Sequence, residues 1–165
     1  MFELKPIAKA SIPRALEKAE RYRLLNEPRQ AESICLDVLA IEPDNQEAVS
    51  CLLLALTDQF GGIVTGLAEQ AKQLLPRLTS AFERAYYAGI IGERYAKHQL
   101  AKDHPGARFA AYEYLVEAIT HYEQADALAS DDNDDAILRR NTCVRIITRH
   151  QLEAPRRDEQ ELPLE

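Results

Sequence analysis

Apolar residues recur every three to four positions along most of the chain, and short polar or proline-containing breaks separate the runs. This spacing is typical of amphipathic helices, whereas the strict alternation of half-buried strands is rare. The third run is apolar on nearly every side, which predicts a central helix. The fold class is therefore all-α. The predicted helices cover residues 13–25, 28–41, 46–59, 63–75, 79–102, 107–128 and 134–150.

The breaks contain residues that end or begin helices. Pro13 is tolerated in the first turn of the first helix, because the N–H that it lacks would have no helical partner there, and residues 26–28 are expected to break this helix. Asp44 or Asn45 is expected to cap the third helix. Pro76 is expected to end or kink the fourth helix. The acidic residues 131–135 favour the start of the seventh helix, where the helix dipole is positive.

Residues 12–48 have the pattern of one particular helical hairpin. Tyr22 stands late in the first helix, Ala31 opens the second, Cys35 and Val38 follow, and Pro43 stands at the exit. This pattern resembles a tetratricopeptide repeat (TPR). Residues 85–147 are similar to a second unit in which both helices are lengthened.

The resemblance implies an all-α, right-handed α-α superhelix, a TPR-like solenoid of about seven helices, because such hairpins bury their apolar faces only against stacked neighbours. The domain would cover residues 12–150, after a lead-in at 1–11 and before a disordered tail at 151–165. The family also implies a concave groove that holds a peptide of a partner protein. The repeat positions that would line this groove are Leu16, Glu20, Arg23, Ser50, Leu54, Glu93, Asn141 and Arg145.

Charge and composition narrow the function. The 27 acidic and 20 basic residues give a net charge of −7, which disfavours nucleic-acid binding. The three cysteines are far apart in sequence and have no CxxC spacing, which fits free thiols in a reducing cytoplasm. The N-terminus shows no apolar signal-peptide region, and the longest apolar run, 51–56, is far shorter than the ~20 residues of a membrane span. We therefore expect a cytoplasmic protein without a membrane partner.

Several patterns resemble catalytic or metal-binding motifs but lack essential parts. Residues 61–66 match half of a phosphate loop, without the lysine that should follow. Residues 143–149 match the C-x5-R spacing of a thiolate phosphatase, without the glycines or histidine expected around it. Asp131, Asn133 and Asp135 match only the first half of a calcium loop. We predict no catalytic residue, no metal and no cofactor, and a phosphate-binding or thiol enzyme remains the weakest alternative.

Two further features bear on partners. Four arginines gather on the seventh helix, where they could meet an acidic peptide or pair with the acidic turn, for example Asp135 with Arg139 at i,i+4. Aromatic residues concentrate between residues 82 and 122, and the adjacent Tyr86 and Tyr87 cannot both point fully inward. A homodimer formed through the third and fourth helices, or through an exposed tyrosine face, is therefore an alternative to a peptide-binding module. The four arginines of the seventh helix mentioned above are Arg139, Arg140, Arg145 and Arg149.

Overall fold

The computed structural model describes residues 1–62, 65–102 and 104–155. All regular secondary structure in these residues is helical, which confirms the predicted class. A 3-10 turn, Lys9–Ser11, leads directly into the first helix, and another, Leu75–Arg77, follows the fourth. The α-helices are α1 (Ile12–Leu24), α2 (Pro28–Ile41), α3 (Gln46–Asp58), α4 (Leu67–Leu74), α5 (Ala81–Leu100), α6 (Ala107–Asp126) and α7 (Asp135–His150).

Only α4 departs clearly from its predicted bounds. Ile63 and Val64, which were assigned to it, lie outside the described residues. Gly66 has a left-handed φ of 79° immediately before Leu67, a conformation that glycine adopts easily and that a right-handed helix excludes. Pro76 lies in the 3-10 turn after α4, so it ends this helix as predicted. The described α4 is therefore only 8 residues long.

The helix ends have local physical causes. Asn45 caps α3, because its side chain accepts a hydrogen bond of 2.9 Å from the amide of Ala48. Ser80 caps α5 in the same way. At the end of α7, Gln151 is left-handed and the amide of Leu152 donates to the carbonyl of Ile147, the hydrogen bond of a Schellman motif.

The packed fold extends slightly past both predicted domain limits. Leu152 is only 6% exposed and joins the core around α5, α6 and α7. Ile7, in the predicted lead-in, packs against the N-terminal core cluster. Residues 156–165 of the predicted tail lie outside the described part of the chain.

The helices pack as successive hairpins. Contacts join α1 with α2, α3 with α4, and α5 with α6, while α2 also packs on α3 and α6 on α7. In addition, α1 contacts α3, and α3 contacts α5. The prediction of a central α3 is confirmed, because residues including Val49, Leu53 and Leu56 are buried in it.

Two glycines allow α5 and α6 to approach closely. A Cβ on Gly89 would lie 2.5 Å from the ring of Tyr122, and one on Gly92 would lie 3.2 Å from the carbonyl oxygen of Tyr114. The ring of Tyr122 therefore occupies space that any larger residue at position 89 would claim. Because real Cβ contacts are never this short, the glycine sets the position of the tyrosine.

We expect Gly89→Ala to destabilise the domain by about 1–3 kcal/mol, because the new methyl group would force the Tyr122 ring or α6 to move. Urea unfolding measures the loss. In a Tyr122→Ala background the clash is absent, and the same change should become neutral or stabilising, since alanine favours helix more than glycine does. An equal loss in both backgrounds would contradict this account.

Candidate functional site

A row of charged side chains crosses α1, α3 and α5 and continues to α7. It consists of two ion-pair clusters that meet at adjacent positions of α5. We call this row the charged network. Its members are Arg23, Asp58, Glu93, Arg94, Lys97 and Arg139.

The first cluster joins α1, α3 and α5 through Asp58. Arg23 donates from Nε to Asp58 Oδ2 over 2.7 Å, and Arg94 donates to Asp58 Oδ1. Arg94 also donates to Thr57 Oγ1 over 2.5 Å and to the Leu54 carbonyl over 3.2 Å. Burial lowers the pKa of Arg94, while Asp58 opposes this shift. A guanidinium nevertheless stays charged at neutral pH, so the cluster carries two cations and one anion.

The second cluster surrounds Glu93, whose side chain is fully buried. The Tyr122 hydroxyl donates to Glu93 Oε2 over 2.7 Å, while Lys97 and Arg139 both donate to Oε1, the latter over 3.3 Å. Burial opposes the charge of Arg139, but Glu93 and then two tyrosines outweigh it and raise the pKa of this arginine. Burial and then Glu93 also raise the pKa of Tyr122 above 10. The buried carboxylate is thus fully partnered by α5, α6 and α7.

The groove residues predicted on the first half of the chain have mixed positions. Arg23 belongs to the charged network, and the backbone carbonyl of Leu54 accepts a hydrogen bond from Arg94 of the same network. Ser50 is half-buried, and its hydroxyl donates to the carbonyl of Glu47 over 3.1 Å. Glu20 is exposed on α1. Leu16, however, is only 4% exposed and packs in the N-terminal core cluster, so it is not available to line a groove.

Position 93 was also assigned to the wrong side of its helix. Glu93 points into the protein, and its neighbour Arg94 faces α3 instead. Successive helical residues differ by about 100° in direction, so an alignment error of one residue exchanges the two environments. Asp58, four residues after Leu54, and Arg94, beside Glu93, were the signals in the sequence that could have identified this network.

On α7 the predicted groove residues lie on the outer side. Ala136 and Cys143 are buried, and helical geometry places Asn141 and Arg145 on the opposite side of the helix. Asn141 is half-buried and Arg145 is exposed. The α7 residue that reaches the charged network is Arg139, which turns to buried Glu93 rather than to exposed Asp135 as the i,i+4 spacing predicted.

A cavity of about 790 Å³ lies between α4, α5, α6 and the segment that follows α3. Its wall includes Phe60, Tyr95 and Tyr114, and glycines 61, 62 and 66 of the incomplete phosphate-loop motif also line it. The motif and the concentration of aromatic residues are both visible in the sequence, but no sequence pattern predicts that they line the same cavity. Their meeting depends on how α4 packs, and α4 belongs to neither of the two segments, 12–48 and 85–147, that resemble the repeat.

The thiols do not form a phosphatase-like site. Cys143 lies within α7 and is fully buried, and burial raises its pKa to about 12, so the thiol is protonated at neutral pH. Cys35 and Cys51, distant in sequence, are neighbours between α2 and α3. Interaction with the Cys35 thiol holds the pKa of Cys51 below its usual value, although burial opposes this shift, and Arg23 makes a smaller contribution in the same direction. Within the described ranges, no group of three or more His, Cys, Asp or Glu side chains could hold a metal ion.

Comparison with protein-family models, curated proteins and solved structures gave no significant match. None of the helices described above is long and apolar enough to cross a membrane. The charged network and the cavity are therefore the features of this chain that bear most directly on its function.

We expect Tyr122→Phe to destabilise the domain by about 1.5–3 kcal/mol at neutral pH, since the buried carboxylate would lose a hydrogen bond from a fully buried donor. Urea unfolding of both proteins measures this difference. A loss below about 0.5 kcal/mol would mean that Lys97 and Arg139 suffice to solvate Glu93.

The same variant should change the alkaline pH dependence of stability. The pKa of Tyr122 is raised in the folded state, so its contribution is complete below pH 10 and is lost as pH rises above the unfolded value of about 10. Wild type should therefore lose stability more steeply than Tyr122→Phe above pH 10. Parallel pH profiles of the free energy of unfolding would contradict the raised pKa.

Proposed function

We propose that the protein is a non-enzymatic interaction module in which α1 to α7 stack as a TPR-like, right-handed solenoid. In this proposal the odd-numbered helices form a concave surface that holds an extended or helical peptide of a partner protein. The observation that carries the proposal is the charged network, in which partly exposed cations from α1, α5 and α7 surround Asp58 of α3 and the buried Glu93.

The order of helix contacts supports a solenoid. Each even-numbered helix contacts its preceding partner, α2 and α6 also contact the following helix, and α1, α3 and α5 contact each other in series. In stacked helical hairpins, the first helices of successive hairpins meet in this way and form a continuous surface. The resemblance of residues 12–48 and 85–147 to the tetratricopeptide repeat points to the same arrangement.

The charges of the network favour an acidic peptide. Four cations, Arg23, Arg94, Lys97 and Arg139, surround two carboxylates, so the network carries a net charge of +2 on a chain whose net charge is −7. The side chains of Arg23 and Arg94 remain 18% and 22% exposed, and that of Lys97 is 45% exposed. Arginine side chains fixed by a carboxylate are preorganised donors for a second carboxylate.

The negative side chain of Glu20 adds a direction to this surface. It is exposed on α1, three residues before Arg23. An acidic segment would therefore be repelled from the part of the surface near Glu20. It would be attracted to the part near Arg94 and Lys97.

We test the proposal with paired double variants. Arg23→Gln with Lys97→Gln removes two partly exposed cations from the network and leaves Arg94 and Arg139 in place. Immobilised protein is incubated with a lysate of the source cells, and recovered proteins are quantified by mass spectrometry. A partner that binds this surface should be recovered about tenfold less, since two ionic contacts together contribute on the order of 1.4 kcal/mol.

The matched control is Arg145→Gln with Arg149→Gln. Both arginines are exposed on α7, and the double change removes the same charge outside the network. It should leave recovery unchanged, and circular dichroism should show that both variants are folded. Equal recovery of every protein by wild type and both double variants would refute binding at this surface.

A second candidate is self-association through the outer side of α7. Leu138 is 62% exposed, and Ile137 and Val144, which share one face of α7, are 37% and 39% exposed. Helical geometry places Leu138 near Arg145 and opposite buried Cys143, while Ile137 and Val144 lie on the neighbouring face with Asn141. This surface on α7 is not one of the dimer surfaces predicted from the sequence. Of those, α3 is largely buried, and Tyr86 stacks on Phe82 with ring centroids 5.5 Å apart.

If α7 forms a dimer, Leu138→Lys should yield a monomer, because a charge would be buried at the contact. Light scattering at high protein concentration measures the molar mass, and Lys18→Leu, on exposed α1, serves as a control for surface change. A wild-type monomer at all concentrations would remove this candidate and leave the peptide-binding proposal unaffected.

A further inference from the structure

The cavity between α4, α5 and α6 has the size of a small-molecule site. Its volume of about 790 Å³ lies within the range of roughly 300–1,000 Å³ that ligand pockets occupy. It lies apart from the charged network, because Arg94 and Tyr95 are adjacent in α5 and face different neighbours. Its proposed role is therefore independent of peptide binding.

Three aromatic rings line the cavity. Tyr95 meets Tyr114 edge-on, with ring centroids 4.7 Å apart, and meets Phe60 edge-on at 5.9 Å. These contacts hold the three rings at the cavity wall. Fixed aromatic edges and faces favour a planar, apolar ligand body.

One end of the cavity is basic. His98 approaches Gly61, where a Cβ would lie 3.2 Å from His98 Nδ1, and Lys102 is close enough to affect the histidine. Burial and then Lys102 lower the pKa of His98 below 6.5, so its ring is neutral at pH 7 and can donate one hydrogen bond. Lys102 is exposed and can turn toward a ligand at this end.

The opposite end carries the carboxylate of Glu117. It lies 3.7 Å from His121 Nε2, one turn further along α6. His98 and His121 lie on opposite sides of the level of Gly92 along the α5–α6 hairpin. At a rise of 1.5 Å per helical residue, they are separated by roughly 15 Å along the helix axes. On α4, Glu69 and Lys72 also line the cavity and balance each other. The excess positive charge is thus at the His98 end.

We propose that this cavity binds a small organic acid with a planar aromatic body. The ring lies against Tyr95 and Tyr114, and the carboxylate meets His98 and Lys102 at the glycine-lined end. Charge complementarity at one end and aromatic walls in the middle together define this class of ligand.

The test uses 2-naphthoate and its neutral analogue 2-naphthalenemethanol. Each is titrated into the full chain labelled with nitrogen-15, and backbone amide shifts are followed by NMR. We expect saturable shifts at residues of α4, α5 and α6 that line the cavity. The acid should bind about fivefold more tightly than the alcohol, the effect of one favourable ionic contact.

Two variants locate the carboxylate. Lys102→Gln should reduce the preference for 2-naphthoate to about twofold or less, while binding of the alcohol stays within twofold of wild type. Lys18→Gln makes the same charge change at an exposed position of α1 that does not line the cavity, and it should keep the full preference. His98→Gln should weaken the acid more than the alcohol.

Three results would overturn the proposal. The first is that neither probe gives saturable shifts in wild type. The second is that the shifts map outside the cavity. The third is that the preference for the acid persists in both Lys102→Gln and His98→Gln. Because the first two results are read from wild-type protein, they do not depend on whether the variants fold. All three leave the peptide-binding proposal as it was.

Discussion

Glu93 carries its carboxylate in the protein interior, where an unpaired charge would cost several kcal/mol. The charge is acceptable only because α5, α6 and α7 each supply a donor: Lys97, Tyr122 and Arg139. These hydrogen bonds require the three helices to lie at a particular depth and rotation. An apolar core would tolerate small sliding movements, but a fully partnered carboxylate does not.

The rotation of α5 that this carboxylate fixes also determines both candidate sites. Glu93, Arg94 and Tyr95 are consecutive, and each turns about 100° from the one before. The first enters the core, the second meets Asp58 and the α3 backbone, and the third meets Tyr114 and Phe60 at the cavity. Gly89 supports the same arrangement, since it leaves the space in which the Tyr122 ring reaches Glu93.

Hydrophobic periodicity was sufficient to predict the helices, because each turn of an amphipathic helix repeats the same signal. Proline and the Asn45 cap then placed several ends within two residues. Hydrophobic periodicity could not place side chains whose positions depend on partners distant in sequence. Arg139 had a plausible local partner in Asp135, yet it pairs with Glu93, 46 residues earlier. Leu16 was assigned to a groove from its repeat position, whereas its burial depends on how Ile12 and Val38 pack around it.

The cavity required two separate pieces of information that a sequence pattern does not contain. Its aromatic wall comes from α5 and α6, whereas its opening depends on Gly61, Gly62 and Gly66 after α3. In the sequence the glycines match only half of a phosphate loop, and the tyrosines show only that aromatic residues concentrate between residues 82 and 122. Neither pattern predicts that the two segments face each other, because that depends on packing.

The cavity lies beside the shortest α-helix that the structure describes. With 8 residues α4 spans about 12 Å, whereas the 20 residues of α6 span about 30 Å. The lining residues of α5 run from Ala88 to His98, about 15 Å along the helix, so α4 is shorter than the wall that it faces. A relative in which this helix gained one or two turns could close the cavity while the charged network stayed intact, so the two surfaces are free to change separately during evolution.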